Sequence, residues 1–300
     1  MFGVTILGNN SALPAFERHP TAQIITLDDC IMLVDCGEGT QLQLSRYRIR
    51  WGRIQSIFIS HLHGDHYFGL PGLLNSMSLL NRTTDLHLYS PPGLDKILDL
   101  QMKVANGHLT YSLIFHPLSE AEELLKTDRL KVSCFPTQHR IPCYGFRFEQ
   151  VRAPRKVIPE KAIQKGIPAA FYEQLKKGED YLTKEGLRIA NAEVTEKGVP
   201  PKSYAFGADT LYFDGMADFV RDVDLLYHET TYLQKDQERA AQRFHSTTEQ
   251  AATLAQQAGA GRLLIGHFSS KYEFLEDFQT EARMIFPNTD LALEGVTYRV

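Results

Sequence analysis

The sequence predicts an α/β protein built on two sheets with helices outside them. Three observations predict it. Apolar runs of strand length alternate with helix-forming stretches, polar residues of metal-binding type recur just past those runs, and residues 150–202 interrupt the alternation with prolines and charge.

Taken in order, Met1 to Gly8 reads as a first strand followed by a Gly/Asn turn. Ile24–Thr26 and Ile31–Val34 are β-rich runs around Asp28-Asp29, the composition of a hairpin turn. Gln41–Leu44 is helical, and Ile54–Ser60 is a strand that runs into a histidine cluster. Phe68–Leu80 reads as a helix, Leu86–Tyr89 as a strand ending at Ser90-Pro91-Pro92-Gly93, and Leu94–Val104 as helix again. Leu130–Phe135 and Gly145–Phe148 are strands framing Gln138-His139. In the second half, Ser203–Phe206 leads into Gly207-Ala208-Asp209-Thr210, and Asp224–Tyr227 ends at His228-Glu229. Thr247–Ala258 is a run of good helix formers with Ser246 or Thr247 as N-cap, and Arg262–Ile265 is a strand ending at Gly266-His267. Polar residues placed repeatedly after strands suit a site on loops at one edge of the sheets.

The composition is that of a globular chain: 300 residues, 43% hydrophobic and 23% charged. No run approaches the roughly 20 apolar residues that span a bilayer, and the N-terminus has no basic and long apolar leader, so the expectation is no membrane and a cytoplasmic location. The four cysteines, Cys30, Cys36, Cys134 and Cys143, form no Cys-x-x-Cys pair and are expected to be reduced and mostly buried. The net charge of −4 is unevenly spread: residues 150–202 hold 11 Lys and Arg against 7 Asp and Glu, a net of +4, and the rest is a net of −8. A basic segment on an acidic body suggests a localised anion contact. With Pro154, Pro159, Pro168, Pro200 and Pro201, this segment reads as an insertion or arm, or more plainly as a surface loop.

The chemistry concentrates in Ser60-His61-Leu62-His63-Gly64-Asp65-His66. Zinc takes imidazole nitrogens, with carboxylate oxygen as a harder ligand. His61 and His63 are two apart, so an extended segment points both the same way. Gly64 allows a turn that brings Asp65 and His66 back from the start of the next helix. Four ligating groups this close can serve two metals, which need further ligands. His139, Asp209 and His267 each follow a strand and are the candidates; singly, each is more often structural.

His-x-His-x-Asp-His after a strand resembles the metallo-β-lactamase superfamily. A finer resemblance is to the ribonuclease Z family, endonucleases that trim the 3′ trailer from precursor tRNA. It is carried by Leu7-Gly8 with Ala12-x-Pro14, Asp35-Cys36-Gly37-Glu38-Gly39-Thr40-Gln41, the His61–His66 cluster, and His139 with Tyr144-Gly145. Gly207-Ala208-Asp209-Thr210, His228-Glu229-Thr230-Thr231, His245-Ser246-Thr247 and Gly266-His267-Phe268-Ser269-Ser270-Lys271-Tyr272 complete it. The resemblance implies an αββα sandwich over residues 1–300 with an RNA-binding arm at 150–202. It implies two Zn2+ per subunit, one on His61, His63 and His139, the other on Asp65, His66 and His267, bridged by Asp209. It implies Asp65 as proton acceptor, and His245 as a non-ligand histidine that donates to a phosphate oxygen or the leaving oxygen; the plainer role for His245 is the neighbourhood of a helix cap. Asp35 is expected to hydrogen-bond the back of the metal loop. Glu229 is expected to orient a histidine whose identity the sequence does not give, and His228 stays unassigned. His19, His87, His108 and His116 read as surface or packing residues.

The substrate implied is precursor tRNA, cut to leave a 3′-hydroxyl on the tRNA and a 5′-phosphate on the trailer, by a homodimer. Gly166-Ile167-Pro168 and Leu175-Lys176-Lys177-Gly178-Glu179 resemble the family's arm, whose usual Pro-Gly-Pro-like run is replaced here by Ala169-Ala170. Lys176 and Lys177 are candidate phosphate contacts or a solvated charged turn. Arg46, Arg48, Arg50 and Arg53 around Tyr47 and Trp51 suggest phosphate pairing and base stacking, an exposed strand edge, or a subunit interface. The competing readings are a phosphodiesterase, sulfatase or lactonase of small molecules on the same fold, and a non-catalytic RNA-binding module.

Overall fold

Two seven-stranded sheets carry the chain, and the first is begun by its own two ends. The structure is a computed structural model describing residues 2–151, 155–198 and 200–300, so Met1 and Pro154 of the sequence reading lie outside the described residues. Strand Phe2–Gly8 pairs antiparallel with Thr297–Arg299 on one side and Ala22–Leu27 on the other. The Asp28-Asp29 turn then closes a hairpin in which Leu27 faces Cys30, with Asp28 at φ 52°. An aspartate tolerates that left-handed conformation better than most residues. From Cys30–Val34 onwards the sheet is parallel, through Ile54–Phe58, Leu86–Ser90 and Leu113–Pro117. The second sheet runs Thr289–Leu291, Leu263–Gly266, Leu225–Glu229, Ser203–Gly207, Tyr144–Gln150, Leu130–Pro136, Glu122–Lys126, its first four strands parallel.

The inner faces meet through aromatic rings. Phe58 packs on Phe146 and Phe148 at 5.4 and 5.5 Å between centroids, and Tyr204 donates its hydroxyl to Gln23 Oε1 at 2.5 Å. Outside the first sheet, helices Leu70–Leu79 and Leu94–Val104 bury Leu70, Leu73, Leu74, Leu94 and Leu98. Outside the second, helices Thr248–Gln257 and Glu276–Ile285 bury Ala251, Ala252, Ala255, Phe278 and Ala282. The result is the expected αββα sandwich.

Several elements differ from the sequence reading. The helix expected over Phe68–Leu80 is present as Leu70–Leu79, and a separate short helix, Gly64–Tyr67, precedes it. Gly69 lies so close to the Gly37 carbonyl that a Cβ would sit 2.2 Å from it, and Pro71 starts the second helix. Strands Leu113–Pro117 and Glu122–Lys126 went unread because both are edges, one ending in proline and one opening on Glu122-Glu123. Arg46–Arg53 is no strand edge: Arg46 ends helix Thr40–Arg46, and Trp51–Arg53 is a single 3-10 turn. Tyr47 and Trp51 pack half-buried against the first sheet's core. Cys36, Cys134 and Cys143 are buried and Cys30 half-buried, all as free thiols.

By contact density the chain divides into two compact units, the second made of Lys126–Lys131 and Glu149–Lys202. That second unit has its own small core of Ala162, Ile167, Leu175, Ile189 and Val194. Helices Pro159–Gln164 and Tyr172–Lys177 and two two-stranded ribbons surround it. The buried Asn191 amide donates to the carbonyls of Leu175 and Glu179 at 2.8 Å each, fixing the helix end that carries Lys176 and Lys177. Ala169-Ala170 open a 3-10 turn. No helix among the described residues is long and apolar enough to cross a membrane.

Candidate metal centre

Parallel strands end at one edge of each sheet, and their C-terminal loops hold the site, as in other open α/β folds. After Ile54–Phe58 the chain turns through Ser60 to His61, His63, Asp65 and His66. Asp35, fully buried at the end of Cys30–Val34, braces this loop from behind. Its carboxylate accepts from Ser60 N at 2.7 Å, Ser60 Oγ at 2.9 Å and His66 Nδ1 at 2.7 Å. Asp35 holds φ 54°, a left-handed value that an aspartate tolerates better than most residues. Gly37 lets the strand-to-helix turn lie against the loop, since a Cβ there would be 2.5 Å from the Asp65 carbonyl oxygen. Gly37→Ala is therefore expected to cost about 1–3 kcal/mol and to displace Asp65; thermal unfolding of chelator-treated protein and metal titration would read the two effects separately.

The second sheet supplies the rest. Asp209 follows Ser203–Gly207, Glu229 ends Leu225–Glu229, and His267 follows Leu263–Gly266 at φ 62°. His139 follows Leu130–Pro136 and gives its Nδ1–H to the Phe244 carbonyl at 2.9 Å. Glu229 accepts from Thr210 N, Thr231 N, Thr231 Oγ1, His245 Nδ1 and Ser246 N at 2.8–3.2 Å. That answers which histidine Glu229 orients: it is His245. Thr247 caps the helix that follows, its side chain accepting from Gln250 N. The expected cap and the oriented histidine are thus adjacent, and His245 is not itself the cap.

The outer nitrogens are tied down, and the inner ones converge. His61, His63, His139 and Asp209 form one group, Asp65, His66 and His267 another, and Asp209, His245 and His267 a third; within each group the candidate atoms lie within 4.8 Å of one another. His66 Nε2 is 3.5 Å from both Asp65 Oδ2 and Asp209 Oδ2, and His267 Nε2 is 3.3 Å from Asp209 Oδ1 and 3.6 Å from Asp65 Oδ2. Two ligands of one tetrahedral zinc stand about 3.4 Å apart, from bond lengths of about 2.0–2.1 Å. Asp65 Oδ2 is further held by Ala12 N–H at 2.7 Å.

Electrostatics favours a cation here. Asp35, Asp65, Asp209 and Glu229 are four carboxylates in one region, and their ion pairs among the described residues are with histidines, not lysine or arginine. Burial resists a charge on His66, but Asp209, Asp65 and Asp35 outweigh it and raise its pKa well above the ordinary value. Burial pushes His61 well below its ordinary value and, with the neighbouring charge of His139, takes His63 down to about 4. His63 therefore stays neutral at neutral pH, with Nδ1 turned to His61 Nε2 and His139 Nε2 at 2.9 and 3.1 Å. His66 Nε2 and His267 Nε2 are buried with no hydrogen-bond partner. Orphaned inward nitrogens beside carboxylates that face no lysine or arginine are what a divalent metal site offers, and the donor set fits one.

All seven residues expected as ligands lie together here with His245, whereas Lys176 and Lys177 lie in the second unit. The sequence reading gave no role to Ser60, Thr231, the Phe244 carbonyl or the Ala12 N–H, which are ordinary residues in ordinary contexts. His19 pairs with Glu294 and His87 with His116, as packing residues do, and His228 is buried with Nδ1 on the Glu229 carbonyl.

A family profile described as anti-Pycsar protein Apyc1 matches residues 2–153, which hold the His61–His66 cluster but stop short of Asp209, His245 and His267. The whole chain is matched by ribonuclease Z of Bacteroides fragilis, 40% identical over 297 residues, 98% of both chains. The chain belongs to the ribonuclease Z family. The structure of the short form of human tRNase Z superposes with a TM-score of 0.72 at 26% identity, covering 99% of each chain. The metallo-β-lactamase fold protein YhfI of Bacillus subtilis gives 0.70 at 19% identity over 100% of each chain, and shares the fold. Family membership makes the chain a metal-dependent hydrolase of the endoribonuclease class, and the fold with its His/Asp clusters places a divalent metal in it.

Proposed function

We propose that this enzyme removes the 3′ trailer from precursor tRNA, leaving a 3′-hydroxyl on the tRNA and a 5′-phosphate on the trailer. The observation that carries the reading is the convergence of seven candidate ligands and His245 in a chain that matches ribonuclease Z along its full length. The name of the human neighbour, a tRNase, supports tRNA as substrate. We assign two Zn2+ per subunit, the first on His61, His63 and His139, the second on Asp65, His66 and His267, with Asp209 between them. Bound there, the metals supply Lewis acidity towards the phosphate and bring the pKa of a water towards about 7.

The chain's own residues handle the protons. Asp65 is ionised, because His66 and His267 hold its carboxyl well below the usual range against the opposing effect of burial. It is the acceptor for the attacking water's proton. His245 spends Nδ1–H on Glu229 and presents Nε2 as the donor to the phosphate or leaving oxygen. The basic segment 150–202, which forms most of the second unit and carries Lys176 and Lys177, is assigned to the RNA, the working species to a homodimer, and its location to the cytoplasm.

The test is cleavage of a precursor tRNA with a 3′ trailer, with and without chelator, beside Asp65→Ala. One cut after the discriminator nucleotide, lost with chelator and in the variant, is the expected result. Failure of metal-replete wild type on several precursors sinks the reading and points to small phosphate, sulfate or lactone esters. The arm has its own check. Leu175→Ala removes the central side chain of the second unit's core and should cost that unit about 2–4 kcal/mol. Weaker tRNA binding with unchanged hydrolysis of bis(p-nitrophenyl) phosphate is expected; equal loss of both would refute a role confined to RNA.

A further inference from the structure

Glu229 reaches two histidines by different routes. It binds His245 directly, Nδ1 to Oε1 at 2.9 Å. It reaches His267 only through a hydroxyl: Thr231 Oγ1 lies 2.8 Å from Glu229 Oε2 and 3.0 Å from His267 Nδ1. Both Glu229 and Thr231 are about 1% exposed.

Proton counting decides what that hydroxyl does. A threonine hydroxyl has one proton to give and lone pairs to receive. The Glu229 carboxylate is ringed by donors, two backbone N–H groups on Oε1 and one on Oε2 among them, so it acts as an acceptor. The hydroxyl proton therefore goes to Oε2, and only lone pairs remain for His267. His267 Nδ1 must carry the N–H. A neutral imidazole has one N–H, so Nε2 bears the lone pair, and Nε2 is the orphaned atom facing Asp65 and Asp209.

We propose that Thr231 is a positioning residue whose hydroxyl fixes His267 in the tautomer with its Nε2 lone pair turned into the donor cluster, and joins that orientation to Glu229 and hence to His245. One buried carboxylate then sets both a ligand and the proton donor. The consequence for catalysis rests on reading His267 as a metal ligand; the tautomer itself does not.

The experiment compares wild type, Thr231→Val, which keeps the shape and the backbone N–H, and Thr231→Ser, which keeps the hydroxyl. Nitrogen-15 NMR of labelled histidines in chelator-treated protein reads the tautomer of His267, assigned with His267→Gln. Competition with a chromophoric chelator reads zinc affinity, and precursor tRNA cleavage reads kcat and KM. Expected are Nδ1–H on His267 in wild type and in Thr231→Ser, its loss in Thr231→Val, and zinc affinity about 10–100-fold weaker in Thr231→Val alone, with kcat falling at unchanged KM. An Nε2–H tautomer in wild type overturns the proposal even if Thr231→Val does not fold. So does Thr231→Val with wild-type tautomer and affinity, or Thr231→Ser as impaired as Thr231→Val. If His267→Gln leaves zinc affinity unchanged, the ligand assignment fails while the NMR result still decides the relay.

Discussion

Replacing Asp209 by alanine should lower precursor cleavage by at least about 10³-fold and release bound metal. Its carboxylate lies near five of the site's six histidines: Nε2 of His267, His66, His61 and His139 lie 3.3, 3.5, 3.7 and 4.0 Å from it, and His245 Nδ1 3.9 Å. In the proposed centre it would help hold the metal in place for the phosphate, a contribution of several kcal/mol; about 4 kcal/mol corresponds to that 10³. It is also strongly ionised, since His267 and His66 hold its pKa well below the ordinary value although burial opposes them. Asp209→Asn keeps the shape and loses the charge, so it should resemble alanine in metal content. Metal analysis with single-turnover cleavage checks this. An Asp209→Ala protein that keeps two metals and cuts at the wild-type rate removes Asp209 from the centre.

Glu229→Gln should be nearly as damaging, for a different reason. The native carboxylate accepts five hydrogen bonds and donates none. A glutamine amide has two N–H groups on one end; at Oε1 that end meets the N–H groups of Thr210, Ser246 and His245, and at Oε2 it meets the Thr231 N–H, with only the Thr231 hydroxyl able to accept. The substitution thus orphans buried donors and strips His245 of its counter-charge, at about 3–5 kcal/mol of stability. A fall in kcat of about 10²–10⁴ follows, the usual worth of one positioned proton donor.

The pH dependence has a sign. Burial would lower the His245 pKa, but Glu229, by charge and hydrogen bond, raises it above 6.5. Glu229 is correspondingly lowered by His245, with burial working against the shift. The raised histidine contributes stability that is complete below its unfolded pKa and is lost as pH rises through the higher folded value. The lowered carboxylate contributes stability present above its unfolded pKa and lost as pH falls through the folded value. The pair is therefore strongest between about pH 4.5 and 6.5, and Glu229→Gln should cost most there. Because the donor must be protonated, the basic limb of the kcat profile should move to lower pH in the variant. An unmoved basic limb would separate His245 from proton donation.

Much of this was legible in the linear sequence because the chemistry is local. His61, His63, Asp65 and His66 fall within one loop, and their spacing alone brings four donors to one place. The Asp28-Asp29 turn, an N-cap at Ser246 or Thr247, and the helix Leu94–Val104 were readable for the same reason, since turn, cap and helix are set by near neighbours. His139, Asp209 and His267 were visible only as polar residues after strands. What brought Asp209 and His267 together, with Glu229, was the parallel pairing of Ser203–Gly207, Leu225–Glu229 and Leu263–Gly266, which aligns three distant strand ends at one edge, while His139 comes from Leu130–Pro136 in the same sheet. Sequence could likewise show that Glu229 needed a histidine but not which one, because His245 is brought to it by the parallel bridge between Tyr232 and Thr247, and Thr248 N donates to the Tyr232 carbonyl. The aromatic and arginine run at 46–53 was not decided by composition alone. Tyr47 and Trp51 also pack partly buried against the first sheet's core, which no local pattern shows. The residue types determined which ligands this protein can hold; long-range strand pairing decided which of them meet, since hydrogen bonds between strands fix register across any distance along the chain.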